Sequence, residues 1–199
     1  TFLSALTNTI PVVFGGRPAA GIEGGYVVDV DNVAGARTGT ERLISTGRKR
    51  IATITGPRDM RVGSEREAGF LSALADAGLT PGPVVEGDFT LSGGAAAMRI
   101  VMEQDPTIDG IFVASDSMAA GAMTVLTSMG IKVPTDIAMV GYDDSEAARS
   151  TEVPLTTVRQ PSEQMGVAMA DTLIAVLNGA EDMPRTMILP TELIIRASA

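Results

Sequence analysis

Apolar positions along this chain follow two alternating periods. Short runs rich in β-branched residues, at 11–15, 26–30, 51–55, 84–87, 108–114 and 137–140, read as strands. Between and around them, apolar residues recur every three to four positions and predict helices over 2–6, 33–46, 63–77, 92–103 and 116–129. Gly47, Gly78, Gly130 and Gly179 each stand one residue past such a segment, where a left-handed C-terminal position favours glycine. Asp31/Asn32, Ser92, Asp116 and Ser162 stand at the matching N-cap positions. Strands alternating with helices of about ten to fifteen residues predict βαβ units, right-handed crossovers and a parallel sheet.

The densest stretch runs from Ile137 to Pro161. An apolar strand ends there in Gly141-Tyr142-Asp143-Asp144, and a β-rich run, Leu155 to Gln160, stops at Pro161. Beyond it the rhythm changes. A helix is expected over 162–178 with Met165, Ala168, Met169, Thr172, Leu173 and Val176 facing inward, followed by short strands at 187–189 and 192–195. A Gly/Pro/Ala-rich loop separates the first two strands, and no charged or proline-rich linker interrupts the rest. The break at 161 therefore reads as a crossover between two subdomains.

Composition sharpens the picture. The 199 residues are 45% hydrophobic but only 4% aromatic, so Val, Ile, Leu, Ala and Met fill the interior, as in sheets covered by helices. The net charge of −9 argues against direct binding of a polyanion, which depends on neutralising phosphates. Arg48-Lys49-Arg50 is the one basic cluster, and a solvated turn accounts for it. With no Cys and no His, disulfides, thiolate nucleophiles, Cys/His metal sites and Ser-His-Asp triads are excluded. No apolar run is long enough for a membrane span, no signal peptide is visible, and no membrane partner is expected. Opening on Thr1 rather than Met, the chain is expected to continue upstream in a longer protein.

Phosphate-binding glycine loops and a nucleophile elbow are also missing, so neither a nucleotide cofactor nor a catalytic residue is expected. Asp143 and Asp144 are adjacent on a strand end and point to opposite sides, which is poor geometry for paired acid and base work. What remains is a set of polar and aromatic groups at strand ends: Arg66, Phe89, Ser115, Asp143 and Gln160. A parallel sheet gathers such residues along its carboxyl edge, where open α/β sheets bind ligands. Arginine and carboxylate suit hydroxyls, and a flat ring suits the apolar face of a sugar or purine. Each residue also has a plainer reading: an exposed ion pair for Arg66, the core for Phe89, a turn for Ser115, and backbone satisfaction before Pro161 for Gln160.

The chain resembles the effector-binding core of the LacI/GalR family of bacterial transcriptional regulators. The resemblance spans nearly all 199 residues and rests on motifs in order, among them Gly47-Arg48-Lys49-Arg50-Ile51-Ala52, Arg66-Glu67-Ala68-Gly69-Phe70, Gly87-Asp88-Phe89-Thr90, Ala114-Ser115-Asp116-Ser117-Met118-Ala119, Val140-Gly141-Tyr142-Asp143-Asp144 and Leu189-Pro190-Thr191-Glu192-Leu193. It implies an α/β fold of two Rossmann-like parallel-sheet subdomains of the periplasmic-binding-protein type, joined by three crossovers. Residues 1–30 and 161–189 would form an incomplete N-terminal subdomain, and 31–160 with 190–199 the C-terminal one. It further implies a cytoplasmic homodimer that binds a small effector, a sugar or a derivative, in the cleft through Arg66, Phe89 and Asp143, with Gln160 at the hinge. Ser115 departs from the family pattern, which has Asn there, and Gly16 stands where Asp is common. Operator DNA would be met by a helix-turn-helix headpiece that these residues do not include. An exported sugar receptor of a transporter is the alternative that shares this fold.

Overall fold

A computed structural model describes residues 2–7, 9–18, 22–180 and 182–199. The chain divides into two compact units, residues 1–31 with 161–190 and residues 32–160 with 191–199.

The larger unit is built on six strands: β3 (Ile51–Thr55), β4 (Val84–Glu86), β5 (Gly110–Val113), β6 (Ala138–Asp143), β7 (Thr156–Arg159) and β9 (Glu192–Ile194). They lie in the order β4-β3-β5-β6-β7-β9, all parallel except β9, which pairs antiparallel with β7. Helices α2 (Asn32–Ser45), α3 (Arg61–Asp76), α4 (Leu91–Gln104) and α5 (Asp116–Ser128) connect and cover them, and a one-turn helix α6 (Glu146–Ser150) follows β6. The expected parallel α/β architecture is observed.

Strand alternation divides the interior of this unit into two cores. On one face Ile51, Phe112, Val140, Tyr142 and Val158 pack with Ala36 and Leu43 of α2 and Phe70 and Leu74 of α3. On the other, Ala52, Ile54, Ile111, Val113 and Met139 pack with Met98 and Val101 of α4 and Met118, Ala122 and Leu126 of α5. β3 and β5 are buried along their whole length, the signature of a parallel sheet covered on both faces.

The smaller unit holds a three-stranded parallel sheet, β1 (Val13–Gly15), β2 (Tyr26–Val30) and β8 (Thr186–Leu189), in the order β1-β2-β8. Helices α1 (Phe2–Thr7) and α7 (Ser162–Leu177) belong to it. Part of the expected glycine-rich loop, at 19–21, lies outside the described residues.

The caps differ from the expected ones by one or two residues. Thr90 rather than Ser92 caps α4, its hydroxyl accepting from the Gly93 amide. Ser115 rather than Asp116 caps α5, accepting from the Met118 amide. Ser162 is the first residue of α7, after Pro161. At α4 and α5 two or three capping-competent residues stand close together, and identity alone does not choose between them.

Candidate functional site

Four of the five expected site residues follow strands of the larger unit at its carboxyl edge: Phe89 after β4, Ser115 after β5, Asp143 at the end of β6 and Gln160 after β7. The fifth, Arg66, comes from α3. The buried stripe of that helix reads Gly63, Arg66, Phe70, Ala73 and Leu74, so helical spacing carries Arg66 to the covered side. It is only 3% exposed, which excludes the surface ion pair. The exposed pairs form instead through its neighbours, Glu65 with Arg61 and Glu67 with Arg58.

Arg66 is held on several sides. Its Nε donates to Asn32 Oδ1 at 3.0 Å, and its Nη1 to the Ala114 carbonyl at 2.6 Å and to Asp143 Oδ1 at 3.3 Å. The guanidinium carbon lies 3.6 Å from the centroid of the Tyr142 ring, a cation–π stack that fixes its plane. Its Nη2 makes no hydrogen bond among the described residues.

Asp143 completes the pair. Gln160 Nε2 donates to the same Oδ1 at 2.7 Å, so both side-chain donors converge on one oxygen, and among the described residues no side chain donates to Oδ2. Burial pushes the Asp143 carboxyl up, while the Arg66 charge and the donors from Gln160, Arg66 and the Asp116 amide pull it back. One arginine donor and one carboxylate acceptor, fixed side by side, match a pair of neighbouring hydroxyls on a polyol.

The other two expected residues are placed differently. The Ser115 hydroxyl is engaged in capping α5, and Ser115 joins the site through the preceding carbonyl, that of Ala114, which receives Arg66. Phe89 is half-buried against the α4/α5 core with φ at 64°, a left-handed conformation rare for a bulky residue. Its ring covers Gly56, where a Cβ would lie 2.1 Å from a ring atom. Among the described residues no hydrogen bond or cation–π contact joins it to Arg66 or Asp143.

Asp144 is turned the other way, as its alternation with Asp143 predicts. Its side chain is 2% exposed and meets Arg196 Nη2 at 2.5 Å, Arg159 Nε at 2.7 Å and Arg149 Nη2 at 3.4 Å. Burial opposes its charge, but the hydrogen bonds and charges of Arg196 and Arg159 outweigh it and hold the carboxyl below its usual range. Both aspartates have positive φ, 112° at Asp143 and 55° at Asp144, so this turn is strained and needs such anchors.

Sequence reasoning missed three contributors: Asn32, Tyr142 and Asp116. Each had been read as a cap or a motif residue, and only the fold shows them packed around Arg66 and Asp143. Among the described residues no cluster of three or more acidic groups could hold a metal.

Residues 40–199 match the family model of the periplasmic binding protein-like domain. A LacI transcriptional regulator from a Rhodococcus species superposes with a TM-score of 0.90 at 34% identity, over 98% of this chain and 72% of that one. The chain belongs to the LacI family. Among its LacI-family relatives, the HTH-type transcriptional regulator CelR of Thermobifida fusca is 46% identical over 193 residues, which is 95% of this chain and 56% of CelR. A solved complex of transcriptional regulator CelR with cellobiose superposes with a TM-score of 0.89 at 45% identity, covering 94% of this chain and 58% of that one. The chain thus spans about half the length of the curated relatives it matches.

Proposed function

We propose that this chain is the effector-sensing core of a LacI-type transcriptional regulator and that its effector is a small saccharide, with cellobiose the first to test. The observation that carries the reading is the buried Arg66–Asp143 pair, which offers a guanidinium nitrogen and a carboxylate oxygen that no side chain among the described residues engages. Similarity to a regulator solved with cellobiose supports the ligand class. The shorter Ser115, engaged as a cap, is consistent with a ligand larger than a monosaccharide. Residues 1–30 with 161–189 are assigned to the N-terminal subdomain and 31–160 with 190–199 to the C-terminal one.

Operator contact is assigned to the helix-turn-helix part of the whole protein, acting as a homodimer in the cytoplasm, and the chain's net charge of −9 accords with a sensing role. Effector binding would alter operator affinity by the difference in saccharide affinity between the two states of the regulator. The relatives are regulators, which leaves the exported receptor and an enzyme without support.

Isothermal titration calorimetry with cellobiose tests the site. Asp143→Asn keeps the side-chain shape, and Arg66→Lys keeps a charge while losing the planar fork. Each should weaken binding about 10- to 100-fold, the range for hydrogen bonds to charged groups. Wild-type affinity in both variants would remove these residues from the site. Absence of wild-type binding to any saccharide would remove the ligand class.

A further inference from the structure

The turn that presents Asp143 is braced from behind by a residue that the effector reading does not use. Asp116, the first residue of α5, is fully buried. Its Oδ2 accepts the Ser145 amide at 2.8 Å, two residues beyond Asp143, and its Oδ1 accepts the Thr157 hydroxyl at 2.7 Å from the middle of β7. Room for this carboxylate depends on Gly141 in β6. A Cβ there would stand 2.4 Å from Asp116 Oδ1 and 2.6 Å from Leu155 Cδ2. One side chain therefore ties the start of α5, the turn after β6 and the neighbouring strand β7 together, around two consecutive residues with positive φ.

We propose that Asp116 is the positioning residue of the effector site: by fixing the turn at 143–145 it holds the Asp143 carboxylate at Arg66 and Gln160, without touching the effector itself. The inference rests on the effector reading above. Asp144, on the same turn, is held separately by Arg149, Arg159 and Arg196, so the turn has two anchors, an ionic one at Asp144 and a hydrogen-bonded one at Asp116.

Asp116 in turn responds to Asp143. Burial pushes its carboxyl up to about 6, with the neighbouring Asp143 charge acting the same way and the Thr157 and Ser145 hydrogen bonds opposing. The charged and titratable groups around the pair are Arg66, facing Asp143 from α3, and the Asp144 cluster on the turn and β7. Asp143 is thus charged while Asp116 titrates, and its own carboxyl answers to burial and to the Arg66 and Gln160 contacts that the turn preserves.

The test is calorimetric binding of cellobiose between pH 5 and 8 to wild type, Asp116→Ala, Asp116→Asn and Thr157→Val, with melting temperatures recorded alongside. Asp116→Ala leaves the Ser145 amide and the Thr157 hydroxyl without an acceptor, and affinity should fall about tenfold or more. Asp116→Asn can still accept the Ser145 amide and donate to Thr157, so it should restore most of the affinity at pH 7.5. It should also keep the acid-side loss of affinity where wild type has it, because Asp116 is already neutral when Asp143 takes up its proton. Thr157→Val should weaken binding by less than Asp116→Ala.

If Asp116→Ala does not fold, the Asn and Val variants decide. Affinity within twofold of wild type in Asp116→Ala, or affinity in Asp116→Asn as low as in Asp116→Ala, overturns the proposal. Should wild type bind no cellobiose, the effector reading fails by itself, and NMR titration of the Asp143 carboxyl without ligand still decides the positioning role. A midpoint displaced in Asp116→Ala and restored in Asp116→Asn supports it, and an unchanged midpoint in Asp116→Ala refutes it.

Discussion

Helices α5 and α7 are built from similar residues and end up in opposite circumstances. α5, DSMAAGAMTVLTS in the larger unit, buries eight of its 13 residues. α7, SEQMGVAMADTLIAVL in the smaller unit, buries only Thr172 of its 16. The inward stripe of α7 lies where its period puts it, with Met165, Ala168, Met169 and Val176 half-buried. The opposite side carries Val167, Ile174 and Leu177 at 57%, 56% and 66% exposure. Periodicity reports which side of a helix faces its own sheet. It does not report how many layers lie beyond. In the larger unit two helices cover each face of the sheet, so the apolar positions of α5 are taken in on nearly all sides, and even the polar Asp116 and Arg66 become buried.

The comparison is broken most directly from the filled interior. Phe112 is fully buried in β5 and stacks on Phe70 at a centroid distance of 6.4 Å. Phe112→Ala should cost roughly 3–5 kcal/mol, because a close-packed core collapses only partly around the space left. Denaturant unfolding measures it. A cost below about 1 kcal/mol would mean that the larger unit is packed no better than the smaller one.

A filled interior also makes a buried charge expensive, and Asp116 is the case to measure. Its carboxyl, pushed up to about 6 chiefly by burial, holds a proton that the unfolded chain has already released near pH 4. The folded state is therefore favoured at low pH, and wild type loses up to roughly 2–3 kcal/mol as the pH rises from about 4 through about 6. Asp116→Asn carries no such charge and should gain stability over wild type across that window, with a constant difference below it. Melting curves at pH 4 and pH 7.5 show this. A difference that does not change between them would mean that the charge is not buried in solution. Asp144 works in the opposite sense, since its arginines hold its carboxyl low and its contribution is lost only as the pH falls below the usual carboxylate range.

These residues also mark how far the sequence reaches. The strands at 26–30 and 51–55 and the order of strands and helices were legible, because β-branched runs and helical stripes report burial directly. So was the convergence of Arg66, Asp143 and Gln160, since a parallel sheet must deliver strand ends to one edge. The short α6 was not, because one turn carries no period. The positive φ of Phe89, Asp143 and Asp144 was not, because nothing in a Phe or an Asp announces a left-handed backbone. The role of Asp116 was hidden for a related reason: a capping residue and a buried brace look alike until the strand beside it is known.

The smallest expected effect lies on α7. Leu177 is 66% exposed in the last turn of that helix, and Val167 is 57% exposed on a shallow groove with Met183 and Met187. An exposed apolar side chain contributes little to folding, so Leu177→Ser and Val167→Ser should change the stability of this chain by no more than about 0.5 kcal/mol. Their effect should appear in association instead, as a lower tendency to self-associate by analytical ultracentrifugation, because each removes an exposed apolar side chain. A cost near 2 kcal/mol in unfolding would show that this side of α7 is covered in solution and would erase the contrast with α5. Unchanged stability with reduced association would sharpen it, by showing that α7 has one side that folds the protein and another that only meets its surroundings.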